Sequence, residues 1–201
     1  DYNIQYKNFL KLFSKQTDNP KLSDIKIDPN SETKVKSTFS IIDIIMNDDI
    51  DRFQNFLSNN NKSVNEELPI KIMGYSPTFL SLSMYFRSHK IATFLRMNNA
   101  NLKAYDRIFA LAGGDYDLIH YVYDSSTEEP KPFEIDIAIQ FHQNQVAMWI
   151  HENYQIEYTN SSVETAIHFY NCFMIKELKE LRMYNPLQFL RSASIFQCYE
   201  I

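Results

Sequence analysis

Residues 78–100 read Thr78-Phe79-Leu80-Ser81-Leu82-Ser83-Met84-Tyr85-Phe86-Arg87-Ser88-His89-Lys90-Ile91-Ala92-Thr93-Phe94-Leu95-Arg96-Met97-Asn98-Asn99-Ala100. Two stripes organise this stretch. Leu80, Ser83 and Met84 stand at offsets −3, 0 and +1 from Ser83, and Ile91, Phe94 and Leu95 stand at +8, +11 and +12. Each set has the spacing of one helix face. Only about six residues separate the two sets, so the helices must turn back on each other as a hairpin. A strand would show period-two alternation, which does not persist.

The same frame recurs outward in both directions. Ile45 is followed by Met46, Phe53, Phe56 and Leu57 at those offsets; Ala110 by Leu111, Leu118, Tyr121 and Val122; Ala138 by Ile139, Val146, Trp149 and Ile150; Ala166 by Ile167, Met174, Glu177 and Leu178. The −3 places hold Ile42, Leu80, Arg107, Ile135 and Val163, so Arg107 and Glu177 are the polar exceptions. Anchors lie 38, 27, 28 and 28 residues apart. Residues 58–68 account for the long first spacing as an inserted loop. One hairpin buries too little to stand alone, whereas stacked hairpins share a continuous core. The expectation is an all-α solenoid of stacked helix hairpins. The small anchors Ser83, Ala110, Ala138 and Ala166 mark where successive first helices approach most closely. Ala193, with Leu190 before it, begins a sixth, incomplete hairpin. That implies either a longer native array or a closing half-repeat. On this frame Trp149 is buried between neighbouring hairpins.

Several residues of the opening stretch resemble an ankyrin repeat. Thr78, Leu80, Ser83, Ile91, Leu95 and Ala100 match its Thr, Leu, Ala, Val, Leu and terminal Ala places. Phe79 and Ser81 stand where the family prefers Pro and His. Asn99 takes the place of the turn Gly, which Asn can do because it tolerates left-handed backbone. Gly114-Asp115 occupies the Gly-His place of the next repeat. The resemblance covers residues 38–183, with a period shorter than the usual ~33 because the inter-repeat finger is reduced. Asn47-Asp48-Asp49-Ile50-Asp51, Ser81-Leu82-Ser83 and Ala112-Gly113-Gly114-Asp115-Tyr116 are similar to a divergent ankyrin-like domain of unknown function expanded in trichomonad protists. This resemblance implies ankyrin-like architecture and supplies no reaction.

Three regions follow. Residues 1–14, with Tyr2, Tyr6, Phe9, Leu10 and Phe13 on one face, read as an N-terminal capping helix, the alternative being a helix that binds a partner. Residues 15–37 are a polar linker or loop, with Asn19-Pro20 and Asp28-Pro29 as turn signals. Residues 38–201 are the repeat array, five hairpins plus the incomplete sixth. Pro130 and Pro132 are expected to stop the helix before them.

Composition narrows the function. The 201 residues carry 44% hydrophobic residues and 14% aromatic ones, enough to bury a core. With 20 basic and 25 acidic residues the formal charge is −5, which argues against a nucleic-acid binder, although lysines make residues 1–37 basic. The three glycines, Gly74, Gly113 and Gly114, cannot build a dinucleotide fingerprint or a phosphate loop. Cys172 and Cys198 read as reduced, packed thiols of a cytoplasmic protein. No apolar run reaches the ~20 residues a membrane helix needs. The chain begins with Asp1, which suggests a processed or partial piece.

The chemistry-bearing residues are sparse. His89, His120, His142, His151 and His168 make no metal motif, and neither metal nor cofactor is expected. Asp115 and Asp117 could work as acid and base or hold a cation. Their place at the start of a second helix favours capping. No nucleophile elbow is present, so no catalytic residues are assigned. The expected function is therefore a non-enzymatic protein–protein interaction scaffold that uses its concave face. The alternatives are a structural subunit of a cytoskeletal or ciliary (axonemal) assembly, and the substrate-recognition arm of a ubiquitin ligase. The expected partner-contact residues are Tyr85, Phe86, Ala112, Gln140, Phe141 and His168. They stand at +2 and +3 of their anchors, where ankyrin-like stacks line the concave face. The partners are one or more proteins.

Overall fold

In the computed structural model, which describes residues 40–181, all regular structure is helical. The proposed capping helix at 1–14, the linker at 15–37, Cys198 and the sixth hairpin around Leu190 and Ala193 lie outside the described residues. Ten helices follow one another: α1 (40–46), α2 (Ile50–Asn59), α3 (Phe79–Tyr85), α4 (His89–Met97), α5 (Asp106–Gly113), α6 (Tyr116–Asp124), α7 (Pro132–Gln140), α8 (Asn144–Tyr154), α9 (Asn160–His168) and α10 (Cys172–Glu180). They form five hairpins. From the second hairpin onward each first helix packs on its own second helix and on the first helix of the next hairpin. The first hairpin joins the stack through α2 against α4 and through the Ser88 hydroxyl, which donates to the Ile45 carbonyl at 2.5 Å.

One backbone device makes every hairpin turn. A left-handed residue follows each first helix: Asp48, Arg87, Gly114, His142 and Tyr170, with φ between 49° and 72°. In the second, fourth and fifth hairpins the next N–H then returns to the anchor's own carbonyl. Ser88 donates to Ser83, Gln143 to Ala138 and Asn171 to Ala166, each at 2.8 Å. This satisfies orphan carbonyls at the helix end. Only Gly114 adopts the conformation without steric cost. Three of the second helices, α2, α6 and α10, are then capped by short polar side chains: Asp49 accepts from Arg52 N–H, Asp115 from Leu118 N–H and Asn171 from Met174 N–H. α4 is capped from the neighbouring hairpin instead. The Asp48 carboxylate accepts from the N–H groups of Lys90 and Ile91, both at 3.0 Å.

The first-helix stripe is buried as expected, and all five anchors are fully buried. The end hairpin departs at +1, where Met46 is 49% exposed. On the second helices of the second to fifth hairpins the buried face is +8, +9 and +12. Ala92, Ile119, Ala147 and Ile175 at +9 are buried, while Phe56, Phe94, Tyr121, Trp149 and Glu177 at +11 are only half-buried. The inward face is thus rotated from the expected one, with +9 inside and +11 at the rim. Trp149 is therefore not enclosed between hairpins. It lies across His120 and Tyr123 of the preceding hairpin, with ring centroids 4.9 and 5.3 Å away, and against Tyr154 at 5.5 Å.

Three smaller expectations are corrected. The insertion is longer than residues 58–68 and is folded: α2 continues to Asn59, and the loop closes through isolated bridges Glu67–Thr78 and Ile72–Tyr75, burying Leu68 and Ile72. Pro132 opens α7 rather than stopping α6, which has already ended at Asp124; its missing N–H is one the first turn leaves unbonded anyway. Cys172 is exposed at the first position of α10 rather than packed. Left-handed Asn99, at φ 56°, agrees with the turn role read for it.

Candidate interaction surface

The expected contact residues sit on the first helices, near the turns. Tyr85 and Phe86 end the second hairpin's first helix, and both are half-buried. Tyr85 meets Phe86 at 5.0 Å, Phe109 of the third hairpin at 6.3 Å and Phe141 of the fourth at 6.2 Å, all edge-on. A ring of the second hairpin thus touches a ring of the fourth. The third hairpin permits this because it carries Ala112 and Gly113 at the +2 and +3 places, where the second, fourth and fifth carry Tyr85, Phe86, Gln140, Phe141, His168 and Phe169. Ala112 is buried and forms a floor rather than a projecting contact. Gln140 is half-buried beside Phe141, and His168 sets its ring edge-on to Phe169 at 4.6 Å. The structure therefore gathers Tyr85, Phe86 and Phe141 over the third hairpin. His168 belongs to a separate contact in the fifth.

Gly113 has a packing reason that the sequence did not show. A Cβ there would stand 2.1 Å from the Met84 carbonyl oxygen, so α5 approaches α3 backbone to side-chain-free backbone. The Arg87 guanidinium donates to the Gly113 carbonyl across the same joint. The His142 ring repeats that reach two hairpins later, meeting the Phe169 carbonyl at 3.0 Å. His151 bonds its own loop, the Ile156 carbonyl at 2.8 Å, so His142 and His151 serve different contacts.

The aromatic line extends beyond the expected residues. Tyr105 joins Phe109 at 6.0 Å and stacks on Tyr75 of the inserted loop at 5.0 Å, and its hydroxyl donates to the Ser76 carbonyl at 3.0 Å. Burial pushes the Tyr85 phenol above its ordinary value; burial, Glu67 and Asp106 do the same to Tyr105. Both rings are uncharged near neutral pH. Tyr105 could have been found from its place five residues before Ala110. Tyr75 carries no signal in the repeat frame, because it belongs to the insertion.

The polar clusters hold the hairpins together. His89, Asp115 and Asp117 are the three-residue group among the described residues whose ligand atoms fall within 4.8 Å of one another. His89 Nε2 meets Asp115 Oδ2 at 2.6 Å, and the group lies at the N-terminal ends of α4 and α6. Two helix N-termini already present positive dipole ends to these carboxylates, which favours capping over a cation. The second cluster is buried. Arg107 Nη1 meets Glu134 Oε1 at 3.3 Å, Tyr123 hydroxyl donates to Glu134 Oε2 at 2.5 Å, and the guanidinium lies 4.6 Å over the Tyr123 ring. Arg107 also donates to the Glu128 carbonyl, while its Nε is buried without a partner. Burial first, then Glu134, pushes the Tyr123 phenol far above its ordinary value.

No family model matches the chain, and neither a curated protein nor a solved structure matches it. No helix among the described residues is long and apolar enough to cross a membrane.

Proposed function

We propose that this chain is a non-enzymatic protein-binding scaffold, an ankyrin-like solenoid whose first-helix face docks one or more partner proteins. One observation carries the reading. Tyr85, Phe86 and Phe141, all half-buried, converge over the Ala112–Gly113 floor and extend through Phe109 and Tyr105 to Tyr75. Half-buried aromatic side chains on a rigid scaffold supply large contact area at small entropic cost, which is the character of interface anchors. The charged groups that could have argued for chemistry are instead used as helix caps or as the link between the third and fourth hairpins.

The test is proximity labelling with the full chain beside a Phe141→Glu variant whose helicity and melting match the parent. The expected result is a reproducible set of labelled proteins that the variant loses. An identical set from both chains would show that this face is not where partners dock. Stable incorporation of both into one large sedimenting assembly would favour the structural-subunit reading.

A further inference from the structure

We propose that the order of the second to fifth hairpins is written in polar keys, one at each of their three joints, and that the Arg107–Glu134 pair admits the fourth hairpin after the third. In the third, fourth and fifth hairpins the place four residues before the anchor carries the key, whereas the first two hold Ile41 and Phe79 there. Asp106 holds it in the third hairpin and accepts from the Ser81 hydroxyl of the second at 2.6 Å. Ser162 holds it in the fifth and donates to Asp136 of the fourth at 2.7 Å. In both cases the partner lies two residues before the preceding anchor, so the two joints use one geometry with donor and acceptor exchanged.

The joint between them cannot use that geometry. Ile108 occupies the partner place in the third hairpin, and it offers Glu134 nothing. Arg107, one residue earlier, enters instead, and both side chains are over nine-tenths buried. Glu134 Oε1 also accepts from Lys131 N–H at 3.2 Å, as Asp106 Oδ2 does from Lys103 N–H at 2.8 Å. The carboxylate is thus held by its own hairpin before it meets its neighbour. A hairpin without an acid at this place would leave the guanidinium buried and uncompensated. Among the described hairpins that follow in sequence, the fifth is such a hairpin.

The experiment removes the fourth hairpin in register from the full chain by deleting residues 134–161, which joins Phe133 to Ser162. The fifth hairpin then follows the third, and Ser162 faces Ile108 with Arg107 beside it. Two substitutions are added separately to the deletion: Ser162→Glu, which returns a carboxylate to the key place, and Arg107→Leu, which removes the demand for one. Thermal melts followed by circular dichroism are the readout. The expected result is loss of a cooperative transition in the simple deletion and its return with either substitution. Return with Ser162→Glu alone also supports the key, because it shows a need for that carboxylate. A deletion that melts as cooperatively as the parent overturns the proposal. So does a failure that neither substitution repairs, and so does repair by Arg107→Leu alone, which would be a penalty for any buried charge rather than a pairing rule.

Discussion

The joint between the second and third hairpins and the joint between the third and fourth do the same mechanical task by different means. At the first, α5 comes so close to α3 that Gly113 has no room for a Cβ against the Met84 carbonyl, and small anchors Ser83 and Ala110 line the approach. At the second, Arg107 and Glu134 meet inside the stack, with Tyr123 closing the carboxylate and Trp149 lying over Tyr123. The first joint is matched mainly by shape, with the Ser81–Asp106 hydrogen bond beside it, and the second by an ion pair. Shape fails by a graded amount when a methyl group is added. A buried charge fails abruptly when its partner is removed, because the remaining ion is left in a poor solvent.

The sharpest way to break the charge joint is to remove one partner only. Glu134→Leu is expected to cost about 3–5 kcal/mol, since it strands the Arg107 guanidinium. Arg107→Leu combined with Glu134→Leu is expected to fall close to the parent or slightly above it, because the desolvation cost of both ions disappears together. Urea melts of the two single variants and the double variant measure this. A double variant as weak as Glu134→Leu would mean that the joint depends on the ions themselves and not on their mutual compensation.

The shape joint is tested by the smallest possible addition. Gly113→Ala is expected to cost about 1–3 kcal/mol, the range for overpacking a close contact. The sign is informative, because Ala exceeds Gly in helix preference by about 1 kcal/mol and would otherwise stabilise α5. An equal or more stable variant in denaturant melts would show that α5 and α3 can separate without loss, and the distinction between the two joints would collapse.

The stacked-hairpin frame was legible because its cause is local. Apolar residues at fixed offsets from Ile45, Ser83, Ala110, Ala138 and Ala166 report two helix faces directly. The capping role of Asp115 was legible for the same reason, since the cap and its N–H lie three residues apart. What joins one hairpin to the next was not legible. Arg107 stood out as a polar intruder on the first-helix stripe, but its partner Glu134 lies 27 residues away and nothing in either residue names the other. His89 reaches Asp115, and Asp48 caps the next hairpin's helix, by the same long-range route. Of the expected contact residues, Tyr85, Phe86 and Phe141 meet because Gly113 is small, a fact about the space between helices. Trp149 was misplaced because the periodicity gives the apolar face of a helix and not the angle at which that helix leans on its neighbour.

Trp149 therefore becomes a reporter on the roof of the charge joint. Half-buried against His120, Tyr123 and Tyr154, it is expected to lose about 2 kcal/mol on truncation to Ala, less than a fully enclosed Trp would. Its emission should lie between that of buried and free indole, with partial quenching by iodide. Unfolding the charge joint with Glu134→Leu should shift it to the red before helicity is lost. Gly113→Ala, one joint away, should leave it unchanged at low denaturant. Equal shifts from both variants would show that the two joints open as one unit.

The weakest expected effect concerns the one acid buried in the shape joint. Asp106 accepts from the Ser81 hydroxyl and from Lys103 N–H, yet burial outweighs these bonds and raises its carboxyl above the ordinary value. An acid whose folded pKa is raised binds its proton more tightly in the folded chain than in the unfolded one. Its contribution is then fully present below the unfolded value of about 3.9 and is lost as pH rises through the folded value. Asp106→Asn cannot titrate, so the stability of the parent minus that of this variant should decline as pH rises from about 3 toward neutrality, and then level off. Any constant difference from the altered hydrogen bonds cancels in the slope. The measurement is a set of urea melts of both chains across that range. A difference that grows with pH would mean that the two donors overcome burial and hold the carboxylate charged, and the shape joint would then contain a charge interaction of the same kind as its neighbour.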